Sequence, residues 1–382
     1  MAGAELDGVT WATCLGSDDG ESVHSVALSP DRRHLAVVAQ VSLPLPDNPL
    51  SSDRSLAHVW LLDAESGATV WDRRISTDAD AVYGQSAVFR DDSLLVVAGG
   101  YEGDADPPEL RVTGLDVSSG STVYDSWPEI TPAYPYAMTL ANDGALAVVG
   151  TASGTAGIST HDGNVLWQRP LPGSPWQLHT EDGRIVASGF AEGGWVAVMG
   201  ADGSITWEDA DTGQLTKSNA GAGLLALVGG TTDTEAEVRL HDLATGEPLW
   251  SERITFDINA GPSIGIAPEA GMVAVVSAGE ATGLAIPDGR TLWTGTAHPC
   301  CDAVTDGGRG TVLRATSGPL AIERYDTNGV LPPSSVDGVE HDGSHPRMVV
   351  DAATGTAFAS FSVYEGSAIL TGTILVVRTE PE

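Results

Sequence analysis

Short apolar runs alternate with polar turns along the whole chain, and no stretch of useful length repeats at the helical period of 3.6 residues. "HSVALSPDRRHLAVVA" (24–39) shows the unit: a strand-like segment, a polar turn, then a second strand of small apolar residues. It returns as "QSAVFRDDSLLVVAG" (85–99), "YAMTLANDGALAVVG" (136–150), "WQLHTEDGRIVASG" (176–189), "KSNAGAGLLALVGG" (217–230) and "SIGIAPEAGMVAVVS" (263–277). Two divergent copies, "DAVTDGGRGTVLRAT" (302–316) and "RMVVDAATGTAFASF" (347–361), bring the number of strand pairs to eight.

A second hairpin follows most of these pairs. In "LLDAESGATVWDRRI" (61–75) an apolar run meets Asp63, turns at Ser66-Gly67 and continues to Trp71. Asp favours the turn because its carboxylate bonds nearby backbone amides, and Gly supplies the positive φ of a tight hairpin. "LDVSSGSTVYDSW" (115–127) keeps Asp116, Gly120 and Tyr124, and "LHDLATGEPLWSERI" (240–254) keeps Asp242, Gly246 and Trp250. Shorter turns precede Trp167, Trp207 and Trp293. From Trp71 to Trp293 the aromatics recur at about 40–53 residues, the interval of propeller blades. A large aromatic on each outer strand can fill the wedge between neighbouring sheets, its burial contributing roughly 1.5–3 kcal/mol.

The pattern predicts an all-β fold: an eight-bladed β-propeller of four-stranded antiparallel blades, forming one domain over residues 1–382. The blades fall near 22–75, 82–130, 134–171, 174–210, 213–254, 261–297, 300–336 and 345–382. The last blade runs out of chain before its outer strand. "ELDGVTWATCL" (5–15) reads as the missing piece, with Trp11 in the aromatic slot, so the N-terminal strand is expected to complete the last blade and close the ring. Closure removes open sheet edges. In the seventh unit Pro333 stands near the aromatic slot, and a short or distorted outer strand is expected there.

Composition narrows the function classes. The chain has 382 residues and a formal net charge of −34, which argues against nucleic-acid binding and against anionic membranes. That acidity reads as a solubilising surface, with adaptation to high salt or recruitment of a cationic partner as alternatives. Lys217 is the only lysine. No apolar run approaches the ~18 residues of a membrane helix, so no direct membrane insertion is expected. The N-terminus lacks a basic region followed by an apolar core. The chain as written reads as cytoplasmic, or as extracytoplasmic if a segment precedes it. Three cysteines, Cys14, Cys300 and Cys301, argue against a disulfide framework and a structural zinc site.

The Asp-x-x-x-Gly-x-x-x-Trp hairpins at 63–71 and 242–250 resemble the tryptophan-docking repeats of the PQQ-like (pyrroloquinoline-quinone-like) propeller superfamily. That group includes quinoprotein dehydrogenases and the non-enzymatic outer-membrane assembly lipoproteins, and the resemblance covers nearly the whole chain. It implies the eight-bladed fold. It does not fix the chemistry, because the scaffold hosts enzymes, binding platforms and sensors. The adjacent Cys300 and Cys301 in "HPCCDAV" (298–304) resemble the vicinal cysteines over the cofactor of quinoprotein alcohol dehydrogenases. The calcium ligands and catalytic Asp of those enzymes find no matching positions. The expectation is a chain without a cofactor, with PQQ or a metal ion, for instance at His341, Asp342 and His345, as the alternative.

In a propeller of this connectivity, residues just before the inner strands ring one mouth of the central channel. Aligning the units places His24, Gln85, Tyr136, Trp176, Lys217, Ser263, Cys300, Cys301 and Arg347 there, with Tyr134, His298, Asp302, His341 and His345 in the adjoining connectors. Such a concave mouth with convergent polar groups is the default ligand site. Each group also has a bland reading: solvated connector, packing at the channel wall, or an ion pair for Lys217. The loops between second and third strands share the face. "QVSLPLPDNPLSSDRS" (40–55) offers Leu43, Leu45 and Leu50, while "GGYEGDADPPEL" (99–110) is acidic. Neither a zinc-protease nor a phosphate-loop motif occurs. The leading expectation is a monomeric, non-enzymatic interaction scaffold or sensor with a protein or peptide partner on the loop face, possible cationic character included. The alternative is a small-molecule-binding protein or enzyme using the channel mouth.

Overall fold

The structure, a computed structural model, describes residues 5–16, 20–43, 54–75, 81–102, 109–130, 137–190, 193–232, 234–255, 262–277, 279–297, 303–308, 310–317, 320–337, 346–351, 353–364 and 372–380. Their strands form eight antiparallel sheets, six of them meanders in chain order and two joined by a strand from the N-terminus. Blade 1 is Gly20–Leu28, His34–Leu43, Arg54–Asp63 and Thr69–Ile75. Blades 2 to 6 begin at Ala81–Phe89, Met138–Ala141, Ser174–Glu181, Gln214–Gly221 and Ser263–Ala267. Blade 7 begins at Ala303–Gly308 and blade 8 at Arg347–Asp351. The first strand of every blade touches the first strands of both neighbours, and the eighth touches the first, so these strands line the axis of a closed ring.

The core explains the composition of the second and third strands. Eight apolar clusters lie one at each junction between neighbouring blades. At the junction of blades 1 and 2, for instance, Val38, Val59 and Leu61 meet Leu95, Val97 and Leu115. Both faces of these strands pack against a sheet, which is why they read as runs such as "LAVVA" and not as strict alternations.

Each outer aromatic locks its blade onto the next. The Trp71 indole N–H of blade 1 donates to the Val117 carbonyl of blade 2 at 2.7 Å. Trp167 does the same to Ala201 at 2.8 Å, Trp207 to Leu243 at 2.9 Å, Trp250 to Ile286 at 2.5 Å and Trp293 to Asp326 at 2.7 Å. The ring then lies on the turn glycine of that next blade, Trp71 on Gly120, Trp167 on Gly203 and Trp207 on Gly246. This fixes the order turn, glycine, aromatic: the glycine is needed for positive φ and also for the neighbour's ring. The turn aspartates close their hairpins. Asp242 accepts from the Ala244 and Thr245 amides and the Thr245 hydroxyl, which hold its carboxyl below the usual range. We expect Gly246→Ala to cost about 1–3 kcal/mol, because φ is +75° and a Cβ would stand 2.6 Å from the Trp207 ring. Urea unfolding of this variant against Ala244→Gly, in the same turn, separates that clash from general loosening.

Ring closure differs in one detail from the expectation. Trp11–Leu15 does pair with Gly372–Thr379 as the outer strand of blade 8. Glu5–Asp7, however, pairs with Ser335–Asp337 and adds a fifth strand to blade 7. Gly8 turns the chain between the two at φ +64°. The N-terminal segment thus spans two sheets.

The outer strand of blade 7, Gly329–Asp337, is nine residues long and not short. It is distorted where expected: Leu331 pairs with Arg324 and Ser334 with Ile322, so Pro332 and Pro333 are accommodated in the irregularity. The missing aromatic is replaced from the third strand of the same blade. Arg324, buried, donates to the Glu380 carbonyl at 2.9 Å and to Thr379 Oγ1 at 3.0 Å. Glu380 directly follows the third strand of blade 8, as Ala64 and Leu243 do in blades 1 and 5. A guanidinium therefore bonds the carbonyl position that indole N–H groups bond elsewhere.

Candidate functional site

The first strands carry a recurring irregularity that re-aims their side chains. In blade 1, Val23 pairs with Ala39 and Ser25 with Val38, leaving His24 as the extra residue of a β-bulge. In blade 4, Trp176 holds the same position between Pro175 and Gln177. Blade 2 bulges between Tyr83 and Gln85, and blade 5 between Gln214 and Lys217. Bulges disrupt the ladder locally and turn a side chain out of its alternating place. Four of the mouth residues, His24, Gln85, Trp176 and Lys217, stand in or beside these bulges.

Arg347 opens the first strand of blade 8 and pairs with Ser360. Its Nε donates to the His24 carbonyl at 2.8 Å, tying blade 8 to blade 1 at the axis. Its Nη1 is 3.5 Å from the Pro346 carbonyl, a long contact. His24, Lys217 and Arg347 are all half-buried. Burial pushes His24 down to about 4, the nearby Arg347 charge adds to this, and a hydrogen bond with Gln40 opposes it. The imidazole is therefore neutral at pH 7. Lys217 is lowered by burial and then by the same Arg347 charge, although the two stand on blades 5 and 8. Arg347 itself is lowered by burial.

Beside them runs a polar seam between blades 4 and 5. Gln177 accepts the Ser218 amide at 2.8 Å, the Ser188 and Ser218 hydroxyls lie 2.7 Å apart, and His179 Nε2 meets the Ser218 carbonyl at 2.9 Å. Burial lowers His179. Sequence reasoning passed over Gln177, His179 and Ser218. Their signal was present, as polar residues two apart on a strand that otherwise reads as core-facing. Trp176 is 52% exposed at the same level of blade 4.

Gln85 lies in the described ladder, paired with Gly99, but its side chain lies outside the description. Tyr134, Tyr136, His298, Cys300, Cys301, Asp302, His341 and His345 lie outside the described residues. So do the vicinal-cysteine reading and the His341/Asp342/His345 metal reading. Among the described residues, no group of three His, Cys, Asp or Glu side chains could hold a metal ion. No helix is long and apolar enough to cross a membrane.

A cavity of about 260 Å³ lies elsewhere, on the opposite face at the closure between blades 8 and 1. Leu28, Ala64 and Phe358 line it beside Arg32, Asp351 and Arg378. Its charges are matched: Arg32 meets Asp351 at 3.1 Å, and Arg378 bonds Glu380 and the Ala64 carbonyl. It is a seam of the ring, and the axis remains the place where charged groups converge.

Comparison with known proteins agrees with this architecture. Residues 57–232 match the PQQ-like repeat family described as outer membrane protein assembly factor BamB. No curated protein sequence matches the chain. Among solved structures, Sqt1 of Saccharomyces cerevisiae superposes with a TM-score of 0.65 at 10% identity, covering 99% of this chain and 100% of its own. The computationally designed Ika8 protein gives 0.63 at 14% identity over 99% and 100% of the two chains. The Dos1 propeller gives 0.62 at 12% identity over 98% and 95%. At these identities the likeness is one of fold. With its repeated hairpins, its docked tryptophans and its eight sheets, the chain is an eight-bladed β-propeller, of which residues 57–232 match the PQQ-like repeat family.

Proposed function

We propose that the protein is an interaction scaffold or sensor module that binds a protein or peptide partner on the face where the inner strands begin. The observation that carries this reading is the height of blade 1 on that face. The second and third strands of blade 1, His34–Leu43 and Arg54–Asp63, run ten residues each, paired from His34–Asp63 up to Leu43–Arg54. In blade 6 the corresponding Met272–Val276 and Glu280–Ala285 are five and six residues long. Blade 2, with Leu94–Glu102 and Glu109–Asp116, has nine and eight residues there, as blades 5 and 8 do. A connecting segment joins the second and third strands of each blade. Those of blades 1 and 2 have a Leu/Pro-rich sequence and an acidic one, a combination suited to a partner that offers an apolar anchor and basic side chains. The matched family bears the description of an assembly factor, a role of the same class.

Replacing residues 43–50 with Ser and Gly is expected to abolish capture of partners by the full chain in cross-linking and affinity purification, with the unfolding transition unchanged. Retention of every partner by the substituted chain overturns the reading.

A further inference from the structure

The acidic chain pairs its arginines freely. Arg32, Arg90, Arg111, Arg239, Arg314 and Arg378 each lie within ion-pair distance of a carboxylate. With 52 acidic residues against 18 basic ones, such pairing is what chance and electrostatics favour. The two cations of the channel mouth depart from it. Among the described residues, neither Lys217 nor Arg347 has a carboxylate partner, and Lys217 has no hydrogen-bond partner either. Both are half-buried, both stand on axis-lining strands, and Lys217 borders a bulge.

Two like charges on strands that line one axis, both partly removed from water, destabilise a fold unless something offsets them. Lys217 feels the Arg347 charge and no described opposite one. Arg347 is positioned by a backbone carbonyl, which fixes its Nε and leaves its charge uncompensated. A planar guanidinium offers paired donors to a planar or tetrahedral oxyanion, while an ammonium supplies a point charge. We infer that the channel mouth is an oxyanion site in which Lys217 and Arg347 hold a carboxylate or phosphate group, with the His24 imidazole beside them. The anion comes either from a small free molecule or from an acidic side chain of a bound partner. This site lies at the axis and uses no residue of the segments that connect the second and third strands of blades 1 and 2, so it stands or falls independently of the docking surface proposed above.

Calorimetric titration of the full chain with citrate, with inorganic phosphate and with a hexaglutamate peptide tests the site. Saturable one-to-one binding of at least one probe is expected. Binding of citrate or phosphate assigns a free ligand, and binding of the peptide alone assigns a partner's side chain. Lys217→Met is expected to weaken the bound probe by roughly 10–100-fold, the value of a hydrogen bond to a charged group, whereas Lys217→Arg stays within a few-fold of the natural protein. In a buffer free of oxyanions Lys217→Met is also expected to melt at a higher temperature, because it removes an uncompensated half-buried charge. No saturable binding of any probe at millimolar concentration overturns the inference. Equal affinities for the natural protein and Lys217→Met do so as well, as does a Lys217→Met chain that melts lower without oxyanion.

Discussion

Trp207→Ala lowers the unfolding free energy by about 3 kcal/mol, the lower end of the range for losing a large aromatic from a packed site. The side chain belongs to blade 4 but completes blade 5. Its ring packs on the cluster that includes Val196, Val198, Leu225 and Leu243. It stacks on His241 at 5.8 Å with planes 19° apart, covers Gly246, and donates to the Leu243 carbonyl. Truncation therefore opens a cavity at a blade junction and leaves a turn carbonyl without its donor. Leu249→Ala, at an outer position 53% exposed, is the control and changes stability little. Equal urea midpoints for the two variants would remove the docking account. Tyr124 provides the complementary test. It fills the same slot of blade 2, yet its buried hydroxyl has no hydrogen-bond partner, and burial pushes its ionisation up to about 12. Tyr124→Phe is accordingly expected to be neutral or stabilising by up to about 1 kcal/mol.

The repeat was legible because each blade solves the same local problem with the same residues. A turn aspartate, a positive-φ glycine and a wedge-filling aromatic are all dictated within a dozen positions, and the paired strands Thr69–Ile75 and Arg54–Asp63 follow from them. Features that depend on contacts between distant segments were not legible. Arg324 serves the blade 7–8 junction, but it sits on the third strand, outside the slot that Pro333 occupies. Nothing local marks it as a donor for Glu380. The crossing of Glu5–Asp7 to blade 7 is equally non-local: Ser335–Asp337 are free to pair because they lie beyond the prolines. At the site, sequence alignment brought His24, Lys217 and Arg347 to one mouth. The bulges that present His24 and Trp176 had no glycine to announce them. Only strand pairing against Ala39–Val38 and Gly189–Ser188 reveals the extra residue.

Deleting residues 1–16 is expected to have the largest effect of all, converting the chain into a self-associating species. The segment supplies the outer strand of blade 8 and the fifth strand of blade 7, so one deletion uncovers two edges at once. The newly exposed edge of Gly372–Thr379 carries Ile374, Leu375, Val376 and Val377, all almost fully buried in the intact ring. It is long, apolar and β-branched, the kind of edge that templates pairing with another chain. The loss also removes Trp11, whose ring covers Gly67, lies 6.1 Å from Phe358 and bonds the Ala64 carbonyl across the closure to blade 1. Thr13, which bonds the Gly67 carbonyl at 2.9 Å, goes with it. Blade 8 would then touch blade 1 without its outer lock, while the other junctions keep theirs. Light scattering of the truncated chain should show a larger mass than that of the full chain, and a synthetic peptide of residues 5–16 should reverse the shift by occupying the same edge. An unchanged mass and an unchanged melting temperature after truncation would mean that the ring holds without its N-terminal clasp.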